Sequence, residues 1–469
     1  MRVTATMLVT AWALVGASGC SFIDDFGSFT VAPGDASVTD LGRGGDAGDV
    51  DGGIPCPPPS VTCGGACVDL RSSSAHCGRC ENACPSRQAC VSSACIPDPV
   101  VRLGAGSSHA CAVHQSGALH CWGLNYYGEL GTGDLVNHDA PQLVQGLPEG
   151  VVDVACGESH TCAIGMSGAV YCWGANPSGE LGTGVLSELE TAPMQVAGIT
   201  DATEIAAGYG VSCALGSTSG VSCWGTNSYG TLARATVDLA ESASPVQIVL
   251  PGGATADSLA VGQYDEFVCV SAGDAVYCWG SNANDEIGSA ATDSPMPTPT
   301  LLTTPVALHG LQAGGSHVCG TTDTGAPYCW GLGDYGELGR TIATPSDPTP
   351  QPVMAPPSTV ASIGAGRDHS CWVSAEGANQ GAVYCAGSNT FGQIGIGGMS
   401  GMFFAVPQRT LLVGQAVEVV SADLYSCARL SAMDDNAVYC WGRNESGENA
   451  TGDSETVLRH LAPTLVPGL

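Results

Sequence analysis

An all-β fold, a closed ring of seven four-stranded sheets, is what this sequence predicts, and three observations predict it. Gly 66, Pro 28 and only 12% charged residues in a chain of 469 favour short strands and turns over long helices. One pattern marked by Cys-Trp-Gly recurs from Val100 onward. Its tryptophans are Trp122, Trp173, Trp224, Trp279, Trp330 and Trp441, with Cys385-Ala386-Gly387 in the remaining slot, so successive marks lie 51 to 56 residues apart. A second cysteine precedes each mark at the spacing of a hairpin, and seven such units with short edges make a β-propeller.

The hairpins come first in the argument. The sequence sets Cys111 against Cys121, Cys162 against Cys172, Cys213 against Cys223, Cys269 against Cys278, Cys319 against Cys329, Cys371 against Cys385 and Cys427 against Cys440. In Cys162-Ala-Ile-Gly-Met-Ser-Gly-Ala-Val-Tyr-Cys172, opposing the two cysteines leaves a three-residue loop ending at Gly168, which supplies the left-handed residue that such a loop needs. The fourth repeat is one residue shorter, and the same register leaves Gly273-Asp274 as a two-residue turn. Opposed residues of antiparallel strands sit within disulfide reach, which predicts seven cross-strand disulfides. The alternative is that these cysteines serve as small buried apolar residues. A strand before each hairpin, such as Val151–Gly157, and one after it, such as Pro193–Ile199, complete four per repeat. The first repeat begins at Val100 and the chain stops with Pro463-Thr-Leu-Val-Pro-Gly-Leu469, which predicts that the tail closes the ring by completing the first blade.

Charge narrows the partners. Asp and Glu number 44 against 13 basic residues, a formal charge of −31, and every basic residue is arginine. Nucleic-acid affinity comes largely from Lys and Arg on phosphates, so this composition argues against that class.

Ahead of the repeats, residues 1–20 hold Arg2, an apolar run from Met7 to Gly16 and Ala17-Ser18-Gly19-Cys20, the layout of a signal peptide too short to span as a mature helix. Val15–Cys20 resembles a bacterial lipobox, which implies lipidation of Cys20 and, with Ser21 following, sorting to the outer membrane. A conventional signal peptide with an incidental cysteine is the alternative. Residues 21–55 are rich in Gly and Asp and poor in apolar residues, and read as a disordered tether. Residues 56–95 carry eight cysteines and require covalent stapling. An oxidising compartment favours four disulfides over zinc or redox use of Cys77-x-x-Cys80, with connectivity open among 105 pairings. The run Cys63–Cys84 resembles the stigma-specific type of extracellular cysteine-rich module.

The repeat itself resembles that of the regulator-of-chromosome-condensation family over residues 100–469, carried by His160-Thr-Cys-Ala-Ile, Val170-Tyr-Cys-Trp-Gly-Ala-Asn176 and Gly179-Glu-Leu-Gly-Thr-Gly184. The resemblance implies a seven-bladed propeller and says little of function, since one fold hosts many. Three repeats depart from the pattern. The third reads Gly230-Thr-Leu-Ala-Arg-Ala235, the sixth has Trp372 after Cys371 in place of the repeat tryptophan, and the seventh reads Gly447-Glu-Asn-Ala-Thr-Gly452. These blades are expected to be looser and to offer a partner surface.

No repeat slot reads as catalytic. Ser108-His109, Ser159-His160, Ser316-His317 and Asp368-His369 each set a histidine two residues before a cysteine, but Val211, Phe267 and Tyr425 fill the same slot elsewhere. The slot is therefore structural, with His109, His160, His317 and His369 expected to bond backbone between blades. The tryptophans are expected between sheets. Cys156 has no counterpart and reads as a buried free thiol. An enzyme needs a cluster outside the slots, and the candidates are Asp265-Glu266 and Asp285-Glu286. Together these observations predict a monomeric, envelope-anchored, non-enzymatic lipoprotein without cofactor or metal. It binds a protein or glycan through its loops, and not nucleic acid. An inhibitor of a secreted enzyme, and a polysaccharide-binding or polysaccharide-degrading propeller, are the alternatives. Exposed aromatics clustered on one face would favour the inhibitor.

Overall fold

The computed structural model describes residues 56, 58–63, 66–71, 73, 75–84, 88–234, 240–288, 295–341, 345–399 and 401–469. The expected signal segment, the expected lipidation of Cys20 and the expected tether at 21–55 lie outside them.

Seven four-stranded antiparallel sheets follow one another over residues 100–143, 151–195, 202–247, 258–301, 309–352, 360–409 and 416–465. In every sheet the strands lie in chain order. The first strands of all seven, among them Val100–Ala105, Ala202–Ala207 and Ala416–Ser421, line one central channel of about 600 Å³. The sheets are therefore blades about a common axis, with the first strand innermost and the fourth outermost.

The mark Cys-Trp-Gly states the geometry of the third strand. Its cysteine opposes the cysteine of the second strand in register in every blade. The bonded pairs are Cys111 with Cys121, Cys162 with Cys172, Cys213 with Cys223, Cys269 with Cys278, Cys319 with Cys329, Cys371 with Cys385 and Cys427 with Cys440. All seven have a Cα separation of 4.1 Å and no solvent exposure, so these cysteines are cross-links between strands and not merely small apolar filling. The pairing with the outer strand shifts between cysteine and glycine, so the tryptophan sits at a bulge. The glycine is left-handed, at φ 104° for Gly174, and a Cβ there would lie 2.6 Å from the Ser159 carbonyl oxygen. The following loop turns back tightly in the same way. Gly131, at φ 65°, lies against the Trp173 indole of the next blade, where a Cβ would come 2.8 Å from Nε1.

Blade-to-blade packing uses these tryptophans. Each of the six is fully buried, and its indole N–H donates to a main-chain carbonyl of the preceding blade, as from Trp173 to Glu129 at 2.8 Å and from Trp224 to Glu180 at 2.7 Å. In the sixth blade Ala386 leaves the space empty and Trp372 fills it from the neighbouring strand, its ring reaching Gly339 as the repeat tryptophans reach Gly131 and Gly395. Among the described residues the Trp372 N–H has no partner, a bond that the substitution gives up. In the repeats that depart from the pattern, Leu232 of the third, Trp372 of the sixth and Ala450 of the seventh are at most 1% exposed.

The histidine slot corrects an expectation. The four side chains do not bond backbone. Each ring Nε2 meets a hydroxyl of the next blade: His109 to Thr161 at 2.8 Å, His160 to Ser212 at 2.7 Å, His317 to Ser370 at 2.7 Å and His369 to Ser426 at 2.8 Å. Thr161 and Ser212 pass the bond on to the Glu129 and Glu180 carbonyls that also receive the indoles. Where the slot is apolar or aromatic, the next blade answers with an apolar residue in the same cluster: Val211 with Val268, Phe267 with Val318 and Tyr425 with Ala110. The partner is always the residue after the slot in the following repeat, so the pairing is written in the sequence, one repeat out of phase.

The ring also closes differently from the expectation. The tail strand Arg459–Leu465 pairs with Val438–Arg443 and completes the seventh blade, while the first blade takes its outer strand from its own repeat at His138–Leu143. Each repeat already holds four strands in phase, so none is left to lend. The seam is made by side chains. Trp122 donates to the Glu448 carbonyl at 2.8 Å, and the Tyr425 hydroxyl reaches the Gly106 and His109 carbonyls at 3.1 and 2.6 Å. Arg443 bonds Ser107 O and Ser108 Oγ across the seam while paired to Asp423 and Glu448.

In the cysteine-rich segment the bonded pairs are Cys56–Cys67, Cys63–Cys80, Cys77–Cys90 and Cys84–Cys95, around the hairpins 61–68 and 88–97. Cys77 and Cys80 belong to different bridges. The sulfurs of Cys77, Cys84 and Cys95 approach within 4.8 Å, but each is spent in a disulfide and none is free to ligate a metal.

Candidate functional site

In an antiparallel blade the turn from first to second strand and the loop from third to fourth emerge at the same end. Seven turns and seven loops therefore form one face around the mouth of the channel. The turns are tied into a belt by main-chain bonds from blade to blade: Ser107 N–H to Gly157 O, Glu158 to Gly208, Tyr209 to Gly262, Gln263 to Gly314, Gly315 to Gly366 and Arg367 to Ala422, at 2.9 to 3.3 Å. At the seam Tyr425 takes the remaining carbonyl, that of Gly106.

The loops are held just as firmly by two side chains. The Asn125 Oδ1 accepts the Leu130 N–H at 2.9 Å, and the same bond recurs at Asn176, Asn227, Asn282, Asn389 and Asn444. The Glu129 Oε2 accepts the Tyr127 N–H at 2.8 Å, repeated by Glu180, Glu286, Glu337, Gln393 and Glu448. These carboxyls are buried, and burial pushes Glu129 up to about 7 and Glu337 up to about 8. A rigid loop holds its outward residue at little entropic cost.

What these loops present is aromatic. Of the 12 tyrosines, six are exposed: Tyr126, Tyr127, Tyr209, Tyr229, Tyr264 and Tyr335, from 36 to 67%. All six stand on this face. Among the described residues the other exposed aromatic is Phe403, where the sixth blade's loop enters its outer strand. The far face, formed by the hairpins, has exposed methionines such as Met166 and Met433 but no exposed aromatic among the described residues.

At the axis the mouth holds a cavity of about 220 Å³ lined by Ser107, Glu158, Tyr209, Gln263, Tyr264, Arg367 and Asp423. The Arg367 guanidinium lies 4.3 Å from the centre of the Tyr264 ring and 3.4 Å from Asp423. Tyr209 and Tyr264 stand 6.2 Å apart at 58°. The Glu158 carboxyl makes no hydrogen bond or ion pair among the described residues. Burial, then the charge of Asp423, pushes it up, and Glu158 in turn raises the Tyr209 hydroxyl. Below, the Gln263 amide spans to the Ser421 carbonyl at 3.2 Å and separates the mouth from the channel. The channel wall is acidic. Burial lifts Asp153 to about 6 and Glu204 to about 7, while Glu418 is held by Arg429 at 2.8 Å.

The residues of the repeat slots do not open onto this face, whereas the acidic pairs and the departing segments of the third and seventh repeats lie in its turns and loops. The fourteen propeller cysteines, six tryptophans and four histidines are at most 1% exposed. The histidines are held neutral by burial, with His109 and His369 down to about 3 and His160 and His317 to about 4. They sit in four different interfaces and converge on no metal. Cys156 is buried in the channel wall, and burial drives its thiol far above the usual range, which makes it a poor nucleophile. The acidic pairs lie in loops, and burial together with the approach of Asp265 pushes Glu286 up to about 8. Ser316 donates to the Asp265 carboxylate, and neither acid lines the channel or the mouth cavity. The tyrosines and the mouth were missed because neighbours there are one repeat apart in the chain.

Comparison with known proteins agrees with this architecture. The regulator of chromosome condensation (RCC1) repeat matches residues 116–164, 167–215 and 324–373, and a second description of that repeat matches 100–129 and 151–180. The stigma-specific STIG1-like protein family matches residues 51–97. The ultraviolet-B receptor UVR8 of Arabidopsis thaliana is 28% identical over 365 residues, 76% of this chain and 80% of the receptor. Protein RCC2 of Homo sapiens is 34% identical over 113 residues, 24% of this chain and 21% of that one. Among solved structures, yeast RCC1 (Prp20) bound to Kap60 has a TM-score of 0.63 at 21% identity, covering 79% of this chain and 84% of its own. Human WBSCR16 has 0.62 at 19%, covering 70% and 86%. At such identities the likeness shows the fold. The chain carries RCC1 repeats folded as a seven-bladed propeller, together with a STIG1-like cysteine-rich module.

Proposed function

We propose that this protein is a non-enzymatic binding propeller that docks another protein on the face carrying the six exposed tyrosines. That asymmetry is the observation that carries the reading. Tyrosine is enriched at protein interfaces because it brings a large rigid surface with one polar tip at low conformational cost, and a rigid ring presents it pre-organised. The yeast protein of the same fold was crystallised bound to another protein, Kap60. One-sided aromatics also favour the narrower reading of an inhibitor that covers the site of a secreted enzyme. A glycan-degrading role would need acids open to a cavity in catalytic pairs, and Asp265 with Glu286 does not supply one.

The envelope placement rests on residues 1–20 and the stapled module. In this reading Cys20 is the lipidated anchor and 21–55 the tether.

Affinity capture from intact envelope by the full chain tests the binding surface. A defined partner is expected, and Tyr126→Ala, Tyr229→Ala and Tyr335→Ala together should reduce its recovery by about tenfold or more, since buried interface tyrosines contribute roughly 1–2 kcal/mol each. Recovery unchanged by the triple variant would place binding elsewhere. Cys20→Ala should move the protein from the membrane to the soluble fraction, and continued membrane association would sink the anchor.

A further inference from the structure

The cavity at the mouth is open, rigid and chemically lopsided. Its two guanidinium neighbours are already committed: Arg443 bonds Asp423, Glu448 and the seam, and Arg367 bonds Asp423 and stacks on Tyr264. Glu158 shares the cavity with Tyr209 and Asp423 and has no cation paired with it among the described residues.

We propose, resting on the docking face argued above, that the partner inserts an arginine side chain into this cavity, its guanidinium stacked on Tyr209 and paired with Glu158. The chain shows such an arrangement once already, in Arg367 lying over Tyr264 beside Asp423, and a second ring and carboxylate, Tyr209 and Glu158, line the same cavity. The volume, about 220 Å³, takes one long side chain with a few waters. Arginine fits better than lysine because a planar guanidinium both stacks on a ring and pairs with a carboxylate. A chain of net charge −31 without a single lysine also draws basic segments toward it from a distance.

The test titrates the full chain with acetyl-Gly-Arg-Gly-amide, followed by the arginine resonances in nuclear magnetic resonance, against the Leu and Glu peptides of the same frame. Saturable binding of the arginine peptide alone is expected, weakening with salt. Glu158→Gln and Tyr209→Leu should each weaken it by roughly fivefold or more, the size of a partly desolvated cation–π or ion-pair contact. Met433→Ala, on the far face, should leave it unchanged. The Glu158 carboxyl bonds nothing among the described residues, so Glu158→Gln keeps the blade intact. No saturable binding, equal binding of the leucine peptide, or binding unaffected by Glu158→Gln overturns the inference. Loss of the envelope partner in the tyrosine triple variant beside failure of the peptide would retain the docking face and remove the arginine site. The reverse pattern would retain the cavity as a cation site and remove the face.

Discussion

Replacing His160 and Ser212 by valine, singly and together, tests whether the blades are matched to each other pair by pair. The Ser212 hydroxyl sits between His160 Nε2 at 2.7 Å and the Glu180 carbonyl at 2.9 Å, with neither side chain more than 1% exposed. Because the hydroxyl donates to the carbonyl, the imidazole must donate to the hydroxyl, which fixes its proton on Nε2. Ser212→Val strands that N–H, at about 1–3 kcal/mol for a buried unsatisfied donor, and loses a bond to Glu180 O of about 1 kcal/mol, though the Trp224 indole still satisfies that carbonyl. His160→Val leaves the serine bonded and loses packing, at roughly 1–3 kcal/mol. The double variant recreates Val211 with Val268, a pair the protein already uses. It should cost about 1 kcal/mol or less, a coupling of about 2 kcal/mol or more. Equilibrium urea unfolding of the full chain with disulfides intact measures it. A double variant as unstable as the sum of the singles, within about 0.5 kcal/mol, would refute the matching. The acid limb gives a second reading of the same cycle. Burial depresses His160 to about 4, below the ~6.5 of an unfolded histidine, so the unfolded chain takes a proton that the fold refuses. Stability is complete above about pH 6.5, falls through the interval to about 4, and that part of the fall should vanish in the double variant.

Further expectations follow the same logic. Burial raises Glu129 to about 7, so the fold holds it protonated and loses stability as pH rises from about 4.5 through 7. Glu129→Gln, which the sixth blade already has as Gln393 accepting the Phe391 N–H, should be near neutral at pH 5 and more stable by about 2–3 kcal/mol at pH 8 in urea titrations. Gly174→Ala sets a Cβ 2.6 Å from a carbonyl at a left-handed position and should cost about 3 kcal/mol or abolish soluble expression; an unchanged melting temperature would contradict the bulge geometry. Arg443→Met removes the charged contacts at the seam and should lower the unfolding midpoint by the equivalent of about 2–4 kcal/mol, more than Arg409→Met on an outer strand.

How much of this was legible depends on whether the interaction is local. The hairpins were readable because cysteine opposes cysteine within one strand pair and Gly168 or Gly273 sets the turn between them. The bulge behind Cys-Trp-Gly was visible as a mark without a reason, and the close approach of Gly174 to Ser159 supplies it. Closure was misread because the chain ends looked unequal, although Pro141-Gln-Leu-Val144 in the first repeat had already filled the outer position. The hydroxyl partners were hidden by distance of another kind: Ser212 lies one repeat beyond His160, and its meaning shows only when the slot is compared with the next repeat. The mouth was hardest. Ser107, Glu158, Tyr209, Arg367 and Asp423 occupy one slot and share no chemistry, so a search for recurring residues passes over the place where the repeat is free to vary.

Every cross-link among the described residues is short-range, joining cysteines 9 to 17 positions apart. No bridge ties one blade to the next, and every blade owns its four strands. The circle consequently has no privileged starting point: opening it at any inter-blade connection and joining residue 469 to residue 100 would leave each covalent staple and each sheet whole. Such circular permutants should fold. They would let a tether be attached at any of seven stations around the rim, turning the tyrosine face to a chosen bearing relative to whatever holds the other end.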